Sequence, residues 1–336
     1  MSFAGRPALV QPHEVDSSVL TVLVSHIYTA EQVADLRATF PDVTFVQVDV
    51  DGGVPPEGRD AEVILRCTMR KGPLLRALAE APRLKWIHTC TAGFDWLMVP
   101  ELAERGLLVT RSGYSLNIAM GEFVIGYMFL MAKNFRHYLT AQAAHRWESI
   151  EQEEIGGKTV GIVGAGAVGQ EIAKRAVALG MRVIGTKRTP EPQPNFEQVL
   201  PSSDLPVLLR ESDFLVLAAP LTSETQGLLG REQFAMMKPT AYLINVARGA
   251  MCVEDEMIEA LKTGVIAGAC IDAFETEPLP ADSPLWDLDN VVLTPHCSYR
   301  SPLTMTRALE QFKTNLALYL KGEPLLHPLK DMALGY

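Results

Sequence analysis

The chain has 336 residues, 48% of them hydrophobic and 21% charged, an ordinary globular composition with length for roughly two domains. Formal net charge is −10 and no basic run is present, which argues against nucleic acid as a partner. The N-terminus lacks the uninterrupted apolar stretch of a secretory signal. The most apolar segment, 118–132, carries Glu122 and is too short to span a bilayer, so no membrane partner is expected and the location is read as cytoplasmic.

In chain order, apolar runs at 20–25, 44–50, 63–67, 86–89 and 107–110 predict strands, with helical patterns at 30–40, 73–81 and 99–105 between them. Such alternation implies a parallel sheet covered on both faces. Gly and Pro residues over 51–59 mark a surface loop. A long helical pattern follows at 116–134. The segment 135–157 is polar and aromatic, with His137, Tyr138, His145 and Trp147; an arm that packs on another subunit and a flexible surface segment both stay open. A second alternating series starts at residue 158. Its strands at 160–163, 183–185, 214–218, 242–246, 268–271 and 291–293 match the six of a complete doubly wound dinucleotide domain. An amphipathic helix at 302–320 closes the pattern. The cysteines, Cys67, Cys90, Cys252, Cys270 and Cys297, are odd in number and show no metal-ligand spacing, so free thiols and no metal site are expected.

The stretch KTVGIVGAGAVGQEIAKRAVALGMR at 158–182 is the most informative. An apolar strand breaks at Gly164, Gly166 and Gly169 follow at dinucleotide-binding spacing, and an amphipathic helix begins, with Val168, Ile172, Ala176 and Leu179 on one face. Gly164 permits the tight turn, Gly166 lets the backbone approach a pyrophosphate, and Gly169 lets helix and strand pack closely. The helix N-terminus adds N–H groups and a positive dipole end. The whole cradle is Gly164, Ala165, Gly166, Ala167, Val168 and Gly169. At the end of the next strand an NAD-preferring fold carries Asp or Glu for the ribose hydroxyls. This chain has Thr186, Lys187 and Arg188 there; a carboxylate would repel a 2′-phosphate, whereas Lys187 and Arg188 attract it, so NADP(H) is favoured over NAD(H).

Five ordered motifs carry a resemblance over nearly the whole chain: GAGAVG at 164–169, APLTSETQGLLG at 219–230, INVARGAMCVEDEMIEAL at 244–261, DAFETEPLP at 272–280 and TPHCS at 294–298. Together they resemble the D-isomer-specific 2-hydroxyacid dehydrogenases. The resemblance implies an α/β chain of two doubly wound parallel-sheet domains. A Rossmann dinucleotide-binding domain, 116–301, is inserted into a flavodoxin-like substrate domain, 1–115 plus 302–336. It also implies a homodimer, and the D stereochemistry comes from the family name alone.

The reaction moves a hydride between the nicotinamide and a substrate carbon, moves a proton at the substrate oxygen, and holds the substrate carboxylate. Arg248 follows an apolar strand, at the edge where doubly wound sheets bind ligands, and its planar guanidinium suits a carboxylate or carbonyl oxygen. His296 follows another strand and can exchange a proton near neutral pH. Glu277, in the matching motif, would orient the ring and stabilise its protonated form. By resemblance these three are catalytic. Asp272 would contact the nicotinamide carboxamide, Pro220, Thr222, Val246 and Ala247 would wall the dinucleotide, and the backbone of Ala92, Gly93 and Phe94 would receive the substrate carboxylate.

Two departures stand out. Cys297, Ser298, Tyr299 and Arg300 follow the histidine where many relatives have small residues, and Phe94 and Trp96 are bulky near the expected pocket. The leading expectation is an NADP(H)-preferring reductase of a small 2-ketoacid, with glyoxylate or hydroxypyruvate taken by analogy. A phosphite dehydrogenase-like enzyme keeps the same Arg, Glu and His and stays open. So does a dinucleotide-sensing binding protein of the co-repressor type. Formate dehydrogenases of the lineage carry Gln where Glu277 stands, which argues against that activity.

Overall fold

The structure is a computed structural model that describes residues 20–90, 102 and 104–329. The helix expected over 99–105 falls largely outside them. The chain parts at Ser115 and Pro302. The described residues before and after those points form one compact unit, and Leu116–Ser301 form the other.

The first unit is a five-stranded sheet of β1 (Thr21–Val24), β2 (Thr44–Gln47), β3 (Val63–Arg66), β4 (Trp86–Thr89) and β5 (Leu108–Arg111), in the order β2-β1-β3-β4-β5. All four pairings are parallel. This is the flavodoxin-like order. Alternate residues of each strand serve opposite faces, and both faces are covered. Leu23, Val46, Ile64 and Ile87 pack with Leu74, Ala77 and Leu78 of α2 (Lys71–Glu80). Val22, Phe45, Val63 and Trp86 pack with α1 (Ala30–Thr39) and α9 (Pro302–Leu320). Helix α1 starts where Thr29 and Gln32 form a reciprocal capping box. Phe312 of α9 is fully buried and stacks on Trp86 at 5.6 Å, so truncating it to Ala costs about 3–5 kcal/mol. Thr110 bridges antiparallel to Pro328, which covers the outer edge of β5.

Expectation and structure differ at the cysteines. Cys67 and Cys90 are joined in a disulfide. Each sits one residue past the end of β3 or β4, and these strands are hydrogen-bonded neighbours, so their Cα atoms lie 5.3 Å apart, within disulfide range. Cys252, Cys270 and Cys297 are free thiols. Burial pushes the Cys252 thiol up to about 12.

The second unit holds a seven-stranded sheet: β6 (Thr159–Val163), β7 (Arg182–Lys187), β8 (Gln198–Pro201), β9 (Phe214–Leu217), β10 (Tyr242–Asn245), β11 (Gly268–Ile271) and β12 (Val291–Leu293). Their order is β12-β11-β10-β9-β6-β7-β8, with every pairing parallel. It is the dinucleotide-binding order with one strand added beyond β11. The short edge strand β8 was not among the expected strands. One face carries α3 (Asn117–Ala132) and α5 (Ala167–Ala178), whose Val124, Met128, Ile172 and Ala176 pack on Val160, Ile162 and Val216. Leu179, expected on that stripe, caps the helix and is 37% exposed. The other face carries α6 (Leu205–Glu211), α7 (Arg231–Met236) and α8 (Glu254–Lys262) around Leu215, Leu243 and Ile271.

The helical pattern expected to run to residue 134 ends at Ala132. Asn134 is left-handed at φ 50°, and α4 (Phe135–Ala143) continues at 65° to α3. No single described helix is long and apolar enough to cross a membrane.

Candidate active site

Strand β6 turns into α5 through the glycine motif, and each glycine has a separate physical reason. Gly164 is at φ +102°, and a Cβ there would lie 2.8 Å from the Ala219 backbone. A Cβ on Gly169 would lie 2.3 Å from the Gly164 carbonyl oxygen, so only glycine lets the helix sit this close to the strand. A Cβ on Gly166 would meet nothing within 4 Å. Gly166 is the N-cap of α5, whose first-turn N–H groups have no intrahelical acceptor, so the cradle fits a dinucleotide pyrophosphate. The Gly164 and Ala165 N–H groups both donate to the Thr186 carbonyl, at 3.2 and 2.9 Å. Thr186 thus fixes the turn through its backbone, and its side chain is buried.

Lys187 and Arg188 follow at the end of β7. Lys187 pairs with Glu191, and Arg188 donates to Glu224 from Nε and Nη2 at 3.2 and 3.0 Å. Glu224 belongs to the loop after β9. The Thr225 hydroxyl shapes that loop by donating to the Pro220 carbonyl at 2.7 Å and accepting from the Thr222 N–H at 2.8 Å.

Three neighbouring strands, β10, β11 and β12, end at the same edge of the sheet and deliver Arg248, Asp272 with Glu277, and His296. After β10, the Asn245 side chain clamps the turn. Its Oδ1 accepts from the Ala247 N–H at 3.0 Å, and its Nδ2 donates to the Arg248 carbonyl at 3.0 Å. Val246 and Ala247 are buried in that turn. The Arg248 guanidinium donates to the Ala247 carbonyl at 2.7 Å. A Cβ on Gly249 would lie 1.9 Å from the Phe274 carbonyl carbon, so glycine is needed for the two loops to touch.

The acid and the imidazole meet. His296 Nδ1 lies 2.9 Å from Glu277 Oε2 and 3.0 Å from Oε1. The carboxylate only accepts, so Nδ1 carries the proton and Nε2 is left for proton exchange. The Phe274 N–H donates to Glu277 Oε1 at 3.0 Å and steadies the acid. Both side chains are about one-third exposed, at 33% and 38%, so a substrate can reach them.

Asp272 holds the histidine loop. It is fully buried and accepts from the Thr294 hydroxyl at 2.6 Å, the Cys297 N–H at 2.8 Å and the Ser298 N–H at 2.9 Å. The Thr294 hydroxyl has one proton and gives it to Asp272, so it accepts its other bond from the Tyr127 hydroxyl on α3. Burial raises the Tyr127 pKa and keeps that hydroxyl a donor. The loop passes through His296 at φ 49°, left-handed for a non-glycine residue, and the Asp272 bonds on either side hold it there. Burial, then the Asp272 charge, raises the pKa of the neighbouring Cys297 thiol. Asn245, Tyr127 and Thr294 were not singled out from sequence. Asn245 is a polar residue closing an apolar strand, and only its position could have marked it. The loop Ala92, Gly93 and Phe94, with Trp96, lies outside the described residues. Among those residues no cluster of His, Cys, Asp or Glu is arranged to hold a metal.

The family model for the D-isomer specific 2-hydroxyacid dehydrogenase NAD binding domain matches residues 125–298, more than half the chain. The chain belongs to the D-isomer-specific 2-hydroxyacid dehydrogenase family. A glyoxylate reductase of Thermofilum pendens is 36% identical over 274 residues, 79% of this chain and 80% of that one. Among solved structures, a D-isomer specific 2-hydroxyacid dehydrogenase from Xanthobacter autotrophicus Py2, in complex with NADPH and MES, superposes with a TM-score of 0.83 at 31% identity, covering 95% of this chain and all of that one. An NADPH-dependent glyoxylate/hydroxypyruvate reductase from Sinorhizobium meliloti gives 0.80 at 28% identity, covering 94% of this chain and all of that one. This 2-hydroxyacid dehydrogenase is therefore an NAD(P)-dependent oxidoreductase acting on CH–OH donors. Its family motifs fall on the sheet edge that carries Arg248, Glu277 and His296.

Proposed function

We propose that the enzyme reduces a small 2-ketoacid, of the glyoxylate or hydroxypyruvate kind, with NADPH preferred over NADH. The observation that carries the reading is the His296–Glu277 pair at the carboxyl edge of a glycine-motif sheet. When bound, the cofactor supplies the hydride. The 164–169 cradle would hold its pyrophosphate, Lys187 and Arg188 its 2′-phosphate, and Pro220, Thr222, Val246 and Ala247 would line its remaining length, while Asp272, expected at the carboxamide, is fully buried and instead holds the histidine loop.

Arg248 grips the substrate carboxylate or polarises the carbonyl oxygen, which orients the carbon and stabilises developing negative charge. His296 Nε2 gives its proton to that oxygen during reduction and takes it back during oxidation. Glu277 holds the ring in the required tautomer and steadies the imidazolium by charge. By the family resemblance, the backbone of Ala92, Gly93 and Phe94 would receive the carboxylate. The printed names of the relatives support the substrate class, and the NADPH in neighbouring structures supports the cofactor. A steady-state assay of NADPH and NADH oxidation over a panel of 2-ketoacids tests the reading. Turnover with glyoxylate or hydroxypyruvate supports it, and cofactor binding with no turnover on any ketoacid overturns it.

The working form is a homodimer. Phe135 and Leu139 of α4 and the fully exposed Trp147 form an apolar arm with no cover in the monomer, as a subunit contact would leave it. Sedimentation at micromolar concentration reads this directly, and a monomer would refute it.

A further inference from the structure

The loops after β7 and β9 lie on either side of β6, whose end forms the glycine cradle. The Arg188–Glu224 pair therefore joins the two banks of the cradle at the adenosine side. On the same bank as Lys187, the Gln193 amide donates to Glu191 at 3.0 Å and Gln170 of α5 donates to Gln193 at 2.8 Å. Glu191 is thus held beside Lys187 by a chain that starts on the glycine-motif helix itself. Hydrogen bonding and charge from Lys187 lower the Glu191 pKa, so the acid is ionised at neutral pH.

We propose that Glu224 and Glu191 are specificity-determining residues that act as internal competitors for the 2′-phosphate of the cofactor. The inference rests on the assignment of Lys187 and Arg188 to that phosphate. In the free enzyme the two carboxylates neutralise the two cations. A 2′-phosphate must take their place, and it then sits beside two displaced negative charges. A 2′-hydroxyl carries no charge and leaves both pairs intact. The acids consequently lower the affinity for the phosphorylated cofactor alone and narrow the gap between NADPH and NADH. Both pairs are partly exposed, with Glu224 at 64% and Glu191 at 59%, so each acid acts on the modest scale of a surface pair.

The test is equilibrium binding of NADPH and NADH to the full chain by calorimetry, with no ketoacid present. Glu224→Gln keeps the shape and removes the charge. It should tighten NADPH by about threefold to fivefold, the scale of an exposed ion pair, and leave NADH unchanged. Glu191→Gln should do the same to a similar degree, and the double variant should tighten NADPH by roughly tenfold. Raising salt should shrink each gain, because screening weakens the competing charges and the phosphate contact together. NADPH affinity unchanged or weakened in Glu224→Gln would overturn the proposal, as would equal tightening of both cofactors. Wild type and Lys187→Ala with Arg188→Ala separate the two levels. If wild type prefers NADPH and loses that preference in the Ala variant, a silent Glu224→Gln defeats only the competitor role. If wild type binds NADH more tightly, the 2′-phosphate assignment and the competitor role fall together.

Discussion

The two ends of one sheet edge are built on different physical terms. At the β10–β12 end, Asp272 is fully buried and accepts from three donors, one of them Thr294, which Tyr127 backs in turn. At the β6–β7 end, Lys187 and Arg188 meet Glu191 and Glu224 in solvent-accessible pairs. Proton transfer needs an imidazole fixed within a fraction of an ångström, and a buried network supplies that. Choosing between cofactors, the role proposed for Lys187 and Arg188, needs charges that can exchange partners, and exposed pairs can supply that. Substitution should therefore change turnover at the first end and cofactor affinity at the second.

The largest expected effect breaks the first end outright. His296→Ala should slow ketoacid reduction by about 10²-fold or more while NADPH binding, read by calorimetry, stays near wild type. Near-normal turnover would remove His296 from its role. Lys187→Ala with Arg188→Ala addresses the second end: NADPH affinity should fall by roughly 10-fold to 100-fold, NADH affinity by less than about twofold, and kcat with saturating cofactor should hold. Equal weakening of both cofactors would contradict the 2′-phosphate assignment. Thr294→Val cuts the link between Tyr127 and Asp272 without touching the reacting groups. It should lower kcat by roughly threefold to tenfold with cofactor affinity intact, because the histidine loop loses one anchor of three. A rise in KM for cofactor with kcat unchanged would show that Thr294 acts elsewhere.

The last effect is on stability and not on turnover, and it belongs to a region that does neither job. His88 is fully buried in the five-stranded unit, with Nδ1 2.8 Å from the Thr110 hydroxyl and Nε2 3.0 Å from the Ser112 hydroxyl. Burial, with the His327 charge adding to it, lowers its pKa to about 3. In the unfolded chain a histidine titrates near pH 6.5, so folding favours the neutral ring. The stability from His88 is whole above about pH 6.5 and is lost as pH falls towards 3, at up to about 1.4 kcal/mol for each pH unit. Urea midpoints of wild type should drop more steeply between pH 6 and pH 4 than those of His88→Gln. Parallel curves would assign the acid sensitivity to other groups.

What was legible in the sequence follows from range. Strands such as Val160–Val163 and the helix after Gly166 announce themselves through local period and glycine spacing, and Arg248, Glu277 and His296 through motifs around each. Edge strand β8 was missed because Leu200 is its only buried residue, so no apolar run marks it. Helix α4 was missed because Phe135 and Leu139 face solvent and leave no inward stripe. The Cys67–Cys90 bond joins residues 23 apart that only the pairing of β3 with β4 brings together. Tyr127 and Thr294 are 167 residues apart, and Arg188 and Glu224 are 36 apart. No periodicity within a single element encodes such pairs.

The central claim is that Glu277 acts through His296 and not on its own. A double-mutant cycle in ketoacid reduction measures this most directly. Glu277→Gln should slow the wild-type enzyme by roughly tenfold or more and should change nothing further in a His296→Ala background. If instead the two losses multiply, the acid and the imidazole work independently and the dyad does not exist.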